Sequence, residues 1–250
     1  MAFNARAKVN KYQHIEIKAG HGNAPELAQA LLFNRAVTSG VISPPDPLPT
    51  PANQHRHRVS DCIAYKDALN LLEAAFFSQQ CGMPLNRFTT IHWQKGGIAG
   101  PSQWATGRFL KLAADWLRLR GATLAYIWVR ENGHDKGDHV HILLHVPPDL
   151  ARAFSSRQRG WLKACGATFK KGVIYSRPIG RTLSHALAGL QYGEQYSDHL
   201  KTTLAYILKG ANAKTRQRLG LPLAEPGGAV IGKRCSTSQN IGRAARRKRC

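Results

Sequence analysis

Residues 138–146, DHVHILLHV, alternate so strictly that they admit one backbone conformation. In an extended strand successive side chains point to opposite faces. Val140, Ile142, Leu144 and Val146 therefore share one apolar face, which requires a core to cover it. The other face carries His139, His141, Leu143 and His145. The first two imidazoles stand about two residues' rise apart, close enough to grip one metal ion. Glu131 closes the preceding apolar segment, ATLAYIWVRE (122–131), and the polar turn NGHDKG joins the two. Antiparallel pairing across that turn returns Glu131 to the neighbourhood of His139, where its carboxylate can complete a site. A hard oxygen with two neutral imidazoles suits Mg²⁺ or Mn²⁺, and zinc is also compatible. His145 lies farther along the same face, placed to support the ligands or contact a substrate as much as to bind metal.

The rest of the chain supplies what such a strand packs against. Helical spacing predicts a helix over 60–80 with Ser60 or Asp61 as its cap, and LNRFTTIHW (85–93) reads as a strand ended by the glycine-rich KGGIAGP. In TGRFLKLAADWLRLRG the residues Phe109, Leu112, Ala113, Trp116 and Leu117 fall on one helical face, and Gly121 is the stop. A proline-opened helix follows over 147–166, then a candidate strand GVIYSRPI (172–179) and helices at 182–192 and 197–210. The order is that of an α+β protein, an antiparallel sheet with helices packed on it.

Charge narrows the partners. The chain carries 36 basic and 14 acidic residues, a net charge of +22, which is the surface of a protein that meets a polyanion. Seven of the basic residues (Lys233, Arg234, Arg243, Arg246, Arg247, Lys248, Arg249) lie in 232–250, but the remaining +15 makes the rest basic in its own right. Charge alone does not separate RNA from DNA. Five prolines in VISPPDPLPTPANQHRHR mark a linker. The expected organisation is an arm and linker at 1–58, one domain at 59–212 and a basic tail at 213–250 that holds nucleic acid electrostatically. The five scattered cysteines form no CxxC pair and read as free thiols. No apolar run approaches the ~20 residues of a membrane helix, and the N-terminus has no apolar leader, so the expectation is a cytoplasmic protein with no membrane partner.

The helix ending in LAYILKG carries the second chemical signal. Leu200, Thr203, Leu204, Ile207 and Leu208 form its buried stripe, leaving Thr202, Tyr206 and Lys209 together on the opposite side. A phenol with an unperturbed pKa near 10 is a weak nucleophile at neutral pH, and a neighbouring ammonium favours its ionised form. Tyr192 and Tyr196 are also four apart, but no lysine follows them in the matching register.

FTTIH (88–92), HVH (139–141) and YILK (206–209), in this order, resemble the three motifs of the HUH endonucleases, the rolling-circle replication initiators, over residues 85–210. The resemblance implies a five-stranded antiparallel sheet of the ferredoxin or RRM-like kind. The metal would lie on its central strands and the tyrosine helix against the histidine face. It implies a nicking and joining enzyme in which Tyr206 attacks a phosphate of single-stranded DNA at an origin or hairpin. The products would be a 5′-phosphotyrosine and a free 3′-hydroxyl. His139, His141 and Glu131 would be the metal ligands and Lys209 the electrostatic partner of Tyr206. Thr89, Thr90, His92 and His145 would contact substrate, and a host helicase or polymerase would follow. Thr202 stands where some members have a second tyrosine, so a single-tyrosine enzyme is expected. The rivals are a small HUH-type tyrosine transposase and a nucleic-acid-binding module without chemistry.

Overall fold

The alternation at 138–146 is realised as the middle strand of a sheet. The computed structural model describes residues 58–180, 194–224 and 227–248. In chain order these form β1 (Val59–Ser60), α1 (Tyr65–Gln80), β2 (Arg87–His92), α2 (Gln103–Arg118), β3 (Tyr126–Gly133) and β4 (Gly137–Leu144). They continue with α3 (Ala151–Ala164), β5 (Ile174–Pro178), α4 (Glu194–Ile207), α5 (Ala213–Arg218), β6 (Val230–Ile231), β7 (Cys235–Thr237) and α6 (Arg243–Arg247). The fold is α+β: a five-stranded antiparallel sheet in the order β5-β2-β4-β3-β7 flanked by helices, with β1 and β6 forming a two-stranded ribbon. The expected arm and linker, save its last residue, the helix at 182–192 and Tyr192 lie outside the described residues. No helix among the described residues is long and apolar enough to cross a membrane.

One face of the sheet packs as hydrocarbon. Ile91, Trp128, Val140, Ile142 and Leu144 meet Phe109, Ala113 and Leu117 of α2 and Phe154, Trp161 and Leu162 of α3 in one buried cluster. The aromatic rings there meet edge-on, Phe109 with Trp161 at 5.8 Å and Phe154 with Trp161 at 5.0 Å between centroids, the favoured arrangement of ring quadrupoles. The Trp93 indole donates to Thr106 Oγ1 at 2.9 Å, so its buried N–H has a partner. The helix α2 stops where expected: Gly121, at φ 70°, takes the left-handed conformation that ends a helix without a Cβ penalty. Truncating a ring such as Phe109, fully buried here, typically costs about 3–5 kcal/mol.

Three expectations change. Ser60 and Asp61 do not cap a helix: Val59 and Ser60 pair with Ile231 and Val230 instead, and α1 begins at Tyr65. The helix α4 begins at Glu194, which puts Ser197 and Asp198 inside it, and it ends at Ile207, so Lys209 sits in the turn that follows. The largest correction is the domain boundary at 212. The segment read as a tail supplies the fifth strand, with Ile127, Trp128 and Val129 of β3 opposite Thr237, Ser236 and Cys235 of β7.

Basic residues of that segment are structural. Arg234, buried, donates to the Ser60 hydroxyl at 3.0 Å and to the Ser60 carbonyl. Arg246 donates to Asn70 Oδ1 at 2.7 Å and pairs with Glu73 of α1 at 3.0 Å. Gly228 allows the close approach that seats β6: at φ 68° its missing Cβ would collide with the Asn132 carbonyl. Composition read these cations as a holdfast because a partner-bonded arginine and a free one look alike in sequence. Deleting residues 230–250 should therefore unfold the domain rather than only weaken nucleic-acid binding. Thermal melting followed by circular dichroism should show no cooperative transition, or one lowered by more than ~10 °C. An unchanged transition would return the segment to the role of a tail.

Candidate metal centre

The face of the sheet opposite the aromatic core holds the polar cluster. Register sets its membership: Glu131 lies opposite His139 and Val129 opposite His141 between β3 and β4, while His92 lies opposite His139 and Thr90 opposite His141 between β2 and β4. Glu131, His139 and His141 are each 2 % exposed or less. Glu131 Oε2 is 3.3 Å from His139 Nε2 and 3.5 Å from His141 Nε2. All three ligating atoms fall within 4.8 Å of one another. Donors at ~2.1 Å from one ion stand roughly 3 to 3.5 Å apart, so the buried Glu131–His139–His141 group could hold a metal ion.

The hydrogen bonds fix which nitrogen faces inward. His139 Nδ1 lies 2.7 Å from the Gly137 carbonyl, which can only accept, so Nδ1 carries a proton and Nε2 is the nitrogen turned toward Glu131. His141 Nδ1 lies 2.9 Å from Thr90 Oγ1, a hydroxyl that can accept its proton in the same way. Burial pushes the His141 imidazole down to about 4 against a smaller opposing pull from Glu131, so it is neutral at pH 7. Burial also disfavours a charged Glu131, but its contacts with the two histidines and the Lys209 ammonium outweigh it and hold the carboxyl below its ordinary range. Two imidazole Nε2 atoms thus face a carboxylate in a buried site. His141 Nε2 and Glu131 Oε1 have no hydrogen-bond partner. Two such orphans at one point are an electrostatic deficit that a cation removes.

One cation is present in part. Lys209 Nζ contacts Glu131 Oε2 at 2.8 Å and stands 4.1 Å from the centre of the Tyr206 ring. Burial lowers the affinity of this ammonium for its proton, but the Glu131 carboxylate and Tyr206 raise it further, and Lys209 stays charged. The Tyr206 ring sits 5.1 Å from the His141 ring and 6.2 Å, edge-on, from Phe88. It remains 40 % exposed, so a phenol whose ring packs against His141 is also open to solvent.

The other predicted residues separate. Thr90 orients His141, and His92 stacks on His139 at 5.1 Å, its imidazole pushed to about 4 by burial and by the charges of His139, His141, Lys136 and Lys95. Thr89 points to the opposite face, where its hydroxyl lies 2.9 Å from Ser176 Oγ. Consecutive strand residues cannot both face the site. His145 lies past the end of β4, its Nδ1 2.8 Å from the Pro84 carbonyl, and is not brought to the cluster. Tyr196 is buried, with its hydroxyl donating to the Leu85 carbonyl at 3.3 Å and its pKa pushed up by burial.

The sequence reading missed the Arg130–Asp138 pair. Arg130 faces the aromatic side and meets Asp138 at 2.8 Å, and Asp138 also accepts from the Ser102 N–H at 2.9 Å. Asp138 thereby ties the β3–β4 hairpin to the start of α2. An acid eight residues from an arginine across a turn was the available signal. Comparison of the chain with models of known protein families, with curated proteins and with solved structures returned no match.

Metal binding is directly measurable. With Mn²⁺ at 100 times its Kd the native state gains ~2.7 kcal/mol, so the melting temperature of the wild type should rise by several degrees. His139→Ala and His141→Ala should abolish the rise, and Glu131→Gln should reduce it at least tenfold in metal affinity. His145→Ala should keep the rise even if its baseline stability falls. Equal Mn²⁺ responses in all four variants would remove the metal from this cluster.

Proposed function

We propose that this protein nicks and rejoins single-stranded DNA, with Tyr206 as nucleophile and a divalent cation, Mg²⁺ or Mn²⁺, on Glu131, His139 and His141. The observation that carries the reading is the meeting of an exposed phenol, a charged lysine and a three-ligand cation site at one point of a basic protein. That combination suits phosphoryl transfer to tyrosine. The bound cation would supply Lewis-acid polarisation of the scissile phosphate.

The chain's own residues perform the remaining work. Tyr206 Oη attacks phosphorus and its proton passes to solvent. The bond from phosphorus to the 3′-oxygen breaks, the 3′-oxygen takes up a proton, and the strand's 5′ phosphate stays esterified to Tyr206. The exchange replaces one phosphodiester by another, so attack of the 3′-hydroxyl on the phosphotyrosine reverses it. Lys209, beside the Tyr206 ring, balances charge developing on phosphorus. Thr90 and the Gly137 carbonyl hold the two imidazoles in the tautomer that leaves Nε2 free. Initiation of rolling-circle replication and transposition both use this step, and the sequence resemblance favours the first.

The test is covalent capture. Incubated with single-stranded oligonucleotides from candidate origins or hairpins and Mn²⁺, the protein should acquire a 5′-linked strand that peptide mapping places on Tyr206. Tyr206→Phe should bind DNA and form no adduct, and Lys209→Ala should slow adduct formation on the order of 10²-fold. Tyr192→Phe and Tyr196→Phe should retain the adduct. Absence of any adduct across such substrates would leave a binding module without chemistry.

A further inference from the structure

The edge of the sheet nearest the histidines carries features that the nucleophile and the metal ligands do not use. The edge strand β5 points Tyr175 and Arg177 to the same face as Glu131, His139 and His141, because Tyr175 is opposite Thr90 and Arg177 opposite Phe88. Tyr175 is 59 % exposed, among the most exposed large hydrophobic side chains of the described residues. Its ring meets His92 edge-on at 6.1 Å, which fixes one side and leaves a face open. The Arg177 guanidinium lies 5.2 Å over Phe88, the ring that itself borders Tyr206.

Cations surround the patch. A Cβ at Gly172 would meet both Lys95 Nζ and the Tyr175 hydroxyl, so that ammonium and that phenol converge beside the strand. Lys170, Lys171 and Arg177 are exposed, and neither 84–101 nor 163–181 contains an acidic residue. An exposed aromatic ring interleaved with cations is a stacking platform with an electrostatic track for a single-stranded backbone. Two strand spacings, roughly 10 Å, separate β5 from the histidines of β4, the reach of a nucleotide or two of extended strand.

We infer that Tyr175 is a binding residue that stacks an unpaired base next to the scissile phosphate, with Arg177 and Lys95 holding the flanking phosphates, so that the substrate is an unpaired DNA strand laid across β5 and β2 toward Tyr206. The inference deepens the proposed nicking function and rests on it. Stacking asks for a free base face and so selects single strands over duplex, with little regard to sequence.

The experiment measures Kd by fluorescence anisotropy for the full chain with a labelled dT12 oligonucleotide, a duplex of equal length and the matching rU12. Tyr175→Ala should weaken dT12 binding on the order of tenfold or more while leaving duplex binding unchanged, and Tyr175→Phe, which keeps the ring, should bind as the wild type. Arg177→Ala and Lys95→Ala should each reduce the dependence of log K on log salt by about 0.7, as expected for one lost single-strand phosphate contact. Wild-type affinity in Tyr175→Ala, or an equal loss on single strand and duplex, would overturn the stacking role. A wild type that binds rU12 more tightly than dT12 would overturn the DNA assignment of this track. Failure of the wild type to bind dT12 and to form any adduct would sink the nicking function itself, an outcome distinct from a wild type that binds and a Tyr175→Ala that matches it.

Discussion

Glu131 is a carboxylate withdrawn from water, and the arrangement around it follows from what that withdrawal requires. An isolated ionised carboxylate in a protein interior is costly enough to neutralise itself unless it is paired. Here the pairing is threefold: Lys209 touches the same oxygen that faces His139 and His141. Glu131 is on the hairpin strand β3, and those partners come from two other places in the chain, the middle strand β4 and the turn after α4. The ion pair therefore fastens the tyrosine helix to the sheet. Breaking such a pair by removing one partner typically costs about 3–5 kcal/mol, so substitutions in this cluster and stability are coupled in this protein.

The same geometry explains why Tyr206 sits where it does. Its helix is anchored through Leu200, Leu204 and Ile207, which are buried, and through the Lys209 contact beyond its end. The phenol emerges between these anchors, against His141 and Phe88, with part of its ring in solvent. Tyr196, two to three turns earlier, shows the contrast. Its ring serves as core and its hydroxyl is committed to a backbone carbonyl, whereas Tyr206 is open to solvent with a lysine beside it.

Much of the fold and the cluster could be read from residues alone, and what could not has identifiable causes. Strand periodicity is local, so DHVHILLHV announced its faces and the turn to Glu131 predicted a register that β3 and β4 adopt. The alternation rule also separates Thr90 from Thr89, which the motif reading had kept together. The fifth strand was invisible because β7 is three residues, CST, with no periodicity to detect, and it is defined only by the edge of β3 that it covers. The position of His145 depended on where β4 ends, a matter of two residues that pattern does not set. Arg234 and Arg246 were counted as tail charge because their partners, Ser60, Asn70 and Glu73, lie more than a hundred residues away.

The two faces of the sheet divide between an aromatic core and a buried polar cluster. On one, Trp93, Phe109, Trp161 and Phe154 interlock at close packing, so the strand backbones have little freedom to shift. On the other, those strands hold imidazoles and a carboxylate whose usefulness depends on spacing held to a fraction of an ångström. Arg130 joins the two requirements: it neighbours Glu131 in β3, faces the aromatic side, and binds Asp138 next to His139 in β4 while donating to the Ile231 carbonyl of β6. A pair of adjacent residues on each strand thus sends one side chain to brace the hairpin and the next to the Glu131–His139–His141 cluster. The late strand segment contributes to both, since Arg130 N–H donates to the Arg234 carbonyl at 2.7 Å and Asn132 N–H to the Gly227 carbonyl at 2.9 Å. The segment 227–237 therefore clamps β3 on either side of Glu131, and the C-terminal end of the sequence is as much a part of the site's precision as the histidine strand that announces it.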